Sequence, residues 1–348
     1  MTTPALACPL PIPADQLIVL GHGSGGRLSA RLTEQVFLPA FRNAALEQLD
    51  DQAIVPVPGG RIALSTDSYV VKPLFFPGGD IGELAVYGTV NDLAVGGAIP
   101  KYLTVGFILE EGLPIATLQR IVESMAQAAQ RAGVLIVTGD TKVVEKGCGD
   151  QVFINSAGVG FVPNGLTLGA RQVRPGDRIL LNGSLGEHGI TILSQREGLE
   201  LAGDLRSDAA PLNELCAAIV AAAPGLHAMR DLTRGGLSSA LNEIATSAQV
   251  GIEIDDRAIP VTDAVRGACE IFGLDPLYVA NEGKMIAFVP EEQAAAALAA
   301  MRANPLGADA RIIGTVTEKH PRMVTLRTRL GTERIVDMLA QDQLPRIC

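Results

Sequence analysis

Twice along this chain, short apolar or β-branched runs alternate with segments of helical spacing, and the second series begins after Arg174-Pro175-Gly176-Asp177. A chain with that alternation builds layered α/β units rather than a helical bundle or an all-β sandwich. In the first series, residues 17–20 form a short strand ahead of Gly21-His22-Gly23-Ser24-Gly25-Gly26, and helical spacing runs over 28–41. Residues 61–66 read as a strand that stops at Asp67-Ser68, 81–95 as a helix carrying Asn91-Asp92, and 102–109 as a buried strand. An amphipathic helix over 117–132 ends at Gly133, a natural C-cap. The strand over 134–137 ends in Thr138-Gly139-Asp140-Thr141-Lys142, and another strand covers 151–162. In the second series, strands over 178–181, 251–254, 284–289 and 311–316 alternate with helices over 187–197, 212–223, 237–248, 263–272 and 291–302. Residues 322–330 and 334–338 read as a terminal hairpin. The expected division is a flexible arm over 1–16, an N-terminal domain over 17–168, a C-terminal domain over 169–338 and a flexible tail over 339–348. A length of 348 residues fits two domains of about 150 residues each.

Composition narrows the partners. Apolar residues make up 47%, which excludes wholesale disorder. A net charge of -10 and aromatics at 4% argue against nucleic acid and against an anionic membrane surface. No apolar stretch approaches the roughly 20 residues of a membrane span. The proline-bearing start has no positive charge ahead of its apolar residues, so it does not read as a signal peptide. Cysteines stand at 8, 148, 216, 269 and 348, an odd set without CxxC spacing. That usage fits neither a disulfide framework nor a zinc site and points to the reducing cytoplasm.

Several motifs carry chemistry. Gly21, Gly23 and Gly26 satisfy GxGxxG, but a dinucleotide fold also needs a strand ending in an acid about 20 residues later. The acids there, Glu47, Asp50 and Asp51, follow a helix-like stretch. What remains is a glycine-rich loop whose N–H groups can meet phosphate; a glycine loop without a ligand is the open alternative. Asp67, Asp92 and Asp140 recur at element ends beside small or polar residues. Carboxylates from separate elements suit Mg²⁺ with phosphate oxygens and water; turn and cap roles are the alternative. Lys142 and Glu282, each in a glycine-flanked turn, suit an electrophilic stabiliser and a general base, or else exposed ion pairs. The last residue is Cys348, after Leu344-Pro345-Arg346-Ile347. A thiol on a tethered arm suits a carrier that accepts a group and hands it on, and Arg346 favours its thiolate.

These pieces, together with Gly186-Glu187-His188-Gly189, residues 231–237 and Asn281-Glu282-Gly283-Lys284, resemble the HypE family of hydrogenase maturation factors. That family lies within the superfamily of aminoimidazole ribonucleotide synthetase and selenophosphate synthetase. The Pro345-Arg346-Ile347-Cys348 end is the part specific to this family; Leu232 stands where proline is expected. The resemblance implies an α/β (α+β), two-domain aminoimidazole ribonucleotide synthetase-like fold. Its N-terminal sheet would form a homodimer interface and its C-terminal domain an α/β sandwich. It implies ATP and Mg²⁺, with Asp67, Asp92 and Asp140 as metal ligands. Asn91, Thr141 and Gly21, Gly23, Gly25 and Gly26 would be further nucleotide contacts.

The implied activity is a carbamoyl dehydratase. Cys348 would carry an S-carbamoyl group, Lys142 would polarise it, and Glu282 would be the base that helps convert it to a thiocyanate. The implied partners are a HypF-like carbamoyltransferase and a HypC–HypD complex that receives cyanide for the iron of [NiFe]-hydrogenase. An aminoimidazole ribonucleotide synthetase or thiamine-monophosphate kinase would share the aspartates but has no use for a terminal thiol. Selenophosphate synthetases place a reactive residue in the glycine-rich region, where residues 21–26 hold no cysteine. A non-enzymatic maturation scaffold remains the other reading, and failure to hydrolyse ATP would favour it.

Overall fold

The structure is a computed structural model, and it describes residues 26, 27, 30, 34, 53–57, 60–199 and 204–339. The expected strand over 17–20, most of the helix over 28–41, Gly21, Gly23, Gly25 and the tail with Cys348 lie outside the described residues.

The first domain is a five-stranded sheet in the order β1-β2-β7-β5-β6. Its strands are β1 (Ala53–Val57), β2 (Gly60–Tyr69), β5 (Ile99–Glu110), β6 (Leu135–Val144) and β7 (Val152–Val162), with β3 (Phe75–Phe76) and β4 (Gly79–Asp80) forming a small ribbon. Pairing is antiparallel except for β5 with β6. Helix α1 (Ile81–Val95) is apolar on nearly every side and almost entirely buried, as an all-round hydrophobic helix must be. It packs on β2 and β7 and meets the second domain with its other flank. Its N-cap is Asp80, which accepts from the N–H of Gly82 at 2.7 Å and of Glu83 at 3.1 Å. Helix α2 (Ile115–Ala132) ends at Gly133, whose φ of 68° is the left-handed cap that glycine adopts without strain.

Two strands run further than their sequences announce. β2 continues through Asp67 because Ser68 and Tyr69 keep pairing with Asn155 and Ile154, and Tyr69 is buried. β6 runs straight through Thr138-Gly139-Asp140-Thr141-Lys142, paired with residues of β5 from Thr104 to Ile108. The register shifts at Leu103/Thr104, and a Cβ at Gly139 would overlap the carbonyl oxygen of Val105. β5, expected to be buried, is buried on one face only: Leu103, Val105 and Leu109 face α1 and α2, whereas Tyr102 and Ile108 are exposed.

The second domain holds a seven-stranded sheet in the order β14-β13-β10-β12-β8-β11-β9. These strands are β8 (Arg178–Leu181), β9 (Ala228–Asp231), β10 (Gly251–Asp255), β11 (Met285–Val289), β12 (Arg311–Thr317), β13 (Val324–Arg327) and β14 (Glu333–Ile335). The expected terminal hairpin is β13 with β14; β9, which the sequence reading left out, closes the far edge beside β11. The helices are α3 (Glu187–Glu197), α4 (Asn213–Ala222), α5 (Gly236–Ala248), α6 (Asp263–Phe272) and α7 (Glu291–Ala303). Ile286 and Phe288 pack with α5, and Met285, Ala287 and Val289 pack with α4 and α7, so β11 is apolar on both faces. The sheet between helices is the expected α/β sandwich.

Candidate active site

Where the two domains meet, carboxyl groups from four elements converge. Asp67 on β2 accepts from the Tyr69 hydroxyl at 3.4 Å, and Arg234, at the entry to α5, lies 4.0 Å from its other oxygen. Asp92 on α1 accepts from the Ser65 hydroxyl at 2.5 Å. Tyr69 is seated over Gly88, where a Cβ would overlap its hydroxyl. Burial, with the Asp67 charge adding to it, raises the Tyr69 pKa well above the ordinary value, so the phenol stays a donor. Asp231 ends β9; burial pushes its pKa up to about 6, with Arg230 opposing and Asp67 adding. Glu282 is 4% exposed. Burial, then the charges of Asp208, Asp231 and Asp67, raise its pKa well above the carboxylate range against the pull of Arg234. Its Oε1 is buried and has no hydrogen-bond partner among the described residues.

The turn carrying Glu282 is held from several sides. Asn281 donates to the carbonyls of Leu232 and Val279, both at 3.0 Å, and accepts from the N–H of Gly186 at 2.7 Å. Asn91, 2% exposed, donates to the carbonyls of Ala210 at 3.0 Å and Glu282 at 3.2 Å and accepts from the N–H of Leu212 at 2.7 Å. The side chain expected to touch nucleotide is therefore engaged as a clamp between α1 and the second domain.

Asp140 and Lys142 sit elsewhere in the chain. They pair with each other at 3.0 Å on the edge strand β6, with side chains 70% and 71% exposed. β6 is three strands from β2, or about 14 Å at the usual interstrand spacing. Among the described residues no group of three or more His, Cys, Asp or Glu side chains could hold a metal ion within one chain. The structure thus brings together Asp67, Asp92 and Glu282, and leaves Asp140, Thr141 and Lys142 apart from them. Tyr69, Asp231 and Arg234 join the site without having been assigned roles from sequence. The signal available for the latter two was the Asp231-Leu232-Thr233-Arg234-Gly235-Gly236 run.

Gly26 is the described member of the glycine cluster. The next N–H, of Arg27, donates to the carbonyl of Leu339 at 2.9 Å, and Arg27 pairs with Asp337, so the end of the cluster touches the root of the tail. Cys216 and Cys269 are buried and Cys148 is exposed. Burial pushes the Cys216 thiol up and the Cys269 thiol up to about 11, which makes both inert. On the surface of the second domain, Arg327, Arg329 and Arg334 pair with Asp255, Asp256 and Asp275. No helix among the described residues is long and apolar enough to cross a membrane.

The two halves match the family described as AIR synthase related protein, with its N-terminal domain over residues 49–162 and its C-terminal domain over 174–325. They define a two-domain protein with a joint between an N-terminal sheet and a C-terminal sandwich. Within that class the chain belongs to the HypE family of carbamoyl dehydratases. It is 58% identical over 327 residues to the carbamoyl dehydratase HypE of Azotobacter vinelandii, covering 94% of this chain and 96% of that protein. It superposes with a TM-score of 0.84 and 46% identity on HypE in a HypE–HypF complex, covering 88% of this chain and 99% of that one. The hydrogenase maturation protein HypE in complex with ATP superposes with a TM-score of 0.81 and 50% identity, covering 95% of this chain and all of that one.

Proposed function

We propose that this chain is an ATP-dependent carbamoyl dehydratase of hydrogenase maturation, and that it converts an S-carbamoyl group on Cys348 to a thiocyanate. The observation that carries the chemistry is Glu282, a buried carboxyl at the joint of the two domains with one oxygen unpartnered among the described residues. The carbamoyl oxygen attacks the γ-phosphorus of ATP, forming an O–P bond as the bond to ADP breaks. Both N–H bonds of the carbamoyl nitrogen then break, and the C–O bond cleaves as phosphate departs. The product is S–C≡N, and the balance is loss of one water against hydrolysis of ATP. Glu282 takes a nitrogen proton at Oε1. Once ionised, it is a stronger base than an ordinary carboxylate because of its raised proton affinity.

A divalent cation fits this corner. Carboxylates are its natural ligands, with phosphate oxygens and water completing the set, and Asp67 and Asp92 both lie within electrostatic reach of Tyr69. Asp67 and Asp92 would hold Mg²⁺, which supplies charge neutralisation around the phosphates. Asp140 and Lys142 reach the site from a second copy. Leu135 and Val137 on β6 are 64% and 54% exposed, and Tyr102, Ile108 and Phe161 are exposed apolar residues on the neighbouring strands. A long apolar edge strand beside an uncovered apolar face is a surface that a second sheet covers. The glycine cluster over 21–26, with Thr141, would close on the phosphates.

A HypF-like carbamoyltransferase would load the thiol; a relative solved together with HypF supports that partner. A HypC–HypD complex would take the cyanide for iron in the cytoplasm. The test is intact mass of the full chain with carbamoyl donor, HypF-like protein and ATP. The expected result is a carbamoyl adduct on Cys348 that loses one water only with ATP. A chain that never gains the adduct, or loses water without ATP, refutes the reading.

A further inference from the structure

The segment over 204–212 passes directly behind the Glu282 turn and delivers Asp208 to it. The Asp208 side chain is 2% exposed. Its Oδ1 accepts from the N–H of Glu282 at 3.1 Å, and its Oδ2 from the N–H of Gly283 at 3.2 Å and from Lys284 Nζ at 3.0 Å. Lys284 also reaches Glu187 at 3.3 Å, and Glu187 accepts from the Ser184 hydroxyl at 2.8 Å. The fit is close: a Cβ at Gly283 would overlap the carbonyl oxygen of Asp208.

We propose that Asp208 is a positioning residue for the dehydration: it grips the main chain at Glu282 and at the next residue, and thereby aims the Glu282 carboxyl into the site. The proposal rests on Glu282 being the base. Three arguments carry it beyond ordinary packing. A buried carboxylate is costly unless every oxygen is engaged, and here both oxygens are spent on one turn and its own lysine. An ionised acceptor holds N–H groups about twice as strongly as a neutral one. Asn281 and Asn91 hold the carbonyls and the start of the turn, Asp208 alone holds its N–H groups at Glu282 and Gly283 among the hydrogen bonds described, and a misplaced reacting group costs about 100-fold per ångström.

Asp208 is also a charge facing Glu282. The other groups facing Glu282 are Asp67, Asp231, Arg234 and Tyr69, and those facing Asp208 are Lys284 and His188. Burial works against the Asp208 charge, but Lys284 and His188 outweigh it and lower its pKa, so it is ionised at working pH. Removing that charge lets Glu282 lose its proton at lower pH and weakens it as a base.

The experiment is single-turnover water loss from the carbamoylated full chain with ATP, read by intact mass across pH, for wild type, Glu282→Gln, Asp208→Asn and Asp208→Glu. Asp208→Asn is expected to keep carbamoylation, lower the plateau rate about 10- to 100-fold, and move the acidic limb of the profile to lower pH. Asp208→Glu keeps the charge but displaces the anchor by a methylene, so its rate falls while its limb stays. If Asp208→Asn does not fold, Asp208→Glu decides alone, and a wild-type rate there overturns the proposal. A wild-type rate and profile in Asp208→Asn, with Glu282→Gln inactive, overturns the positioning role. Wild-type dehydration by Glu282→Gln overturns the base assignment itself, and the positioning role with it.

Discussion

Asn91→Ala is the sharpest test of how the two domains are joined. One side chain satisfies three main-chain groups of the second domain: the N–H of Leu212 at 2.7 Å, and the carbonyls of Ala210 at 3.0 Å and Glu282 at 3.2 Å. At 2% exposure, water has no ready access to replace it. Orphaning a buried N–H costs about 1–3 kcal/mol, and each carbonyl less because of its second lone pair, for a sum of about 4 kcal/mol. That is a large share of a total stability of about 5–15 kcal/mol. With a urea slope of about 3 kcal/mol/M, the midpoint falls by about 1.3 M. The assay is urea unfolding by far-UV circular dichroism, paired with amide hydrogen exchange at Leu212. Exchange there should accelerate before that of β11, since the clamp is local. A loss under about 1 kcal/mol with Leu212 still protected would refute the clamp.

Gly158→Ala places a Cβ 2.8 Å from Leu93 Cδ1 and 2.8 Å from Thr89 Cγ2, between β7 and α1. The overpacking costs about 1–3 kcal/mol, and an unchanged melting temperature would count against it. Asp231 has its pKa raised from 3.8 to about 6 by burial, so between those values the folded chain holds a proton that the unfolded chain has released. That stabilising contribution is full below pH 3.8 and is lost as pH rises through about 6. In urea midpoints, wild-type stability relative to Asp231→Asn should therefore decline over that window, and a pH-independent difference rejects the assignment. Leu135→Glu puts a charge on the exposed apolar face beside Tyr102 and should convert a dimer to a folded monomer by analytical ultracentrifugation. A wild-type chain that already sediments as a monomer at micromolar concentration removes the second copy from the site.

Most elements were legible because their signals are local. Helix α1 matched its sequence bounds, 81–95, because a mostly small and apolar run of that length follows the Asp80 N-cap. Helices over 187–197 and 263–272 matched for the same local reasons, their glycine caps. The strand bounds that differ lie where pairing partners overrule composition. Thr138-Gly139-Asp140-Thr141-Lys142 looks like a turn by itself, yet β5 draws it into a ladder, and β2 passes through Asp67 for the same reason. β9 was missed because Ala228-Met229-Arg230-Asp231 has no strand pattern and is made one by β11.

The sequence alone determined the two-series α/β plan and the family, since both rest on order and spacing along the chain. It also named Asp67, Asp92 and Glu282 as chemistry-bearing residues. Only the tertiary structure decided which of them meet. Strand order sets the strand of Asp140 and Lys142 about 14 Å from that of Asp67, a separation that no linear spacing encodes. Burial at the domain joint, a property of packing and not of residue type, raises the Glu282 pKa, leaves its Oε1 without a partner among the described residues and turns Asn91 into a clamp. Asp208 lies far from Glu282 in sequence, and only the folded chain presses it against the same turn.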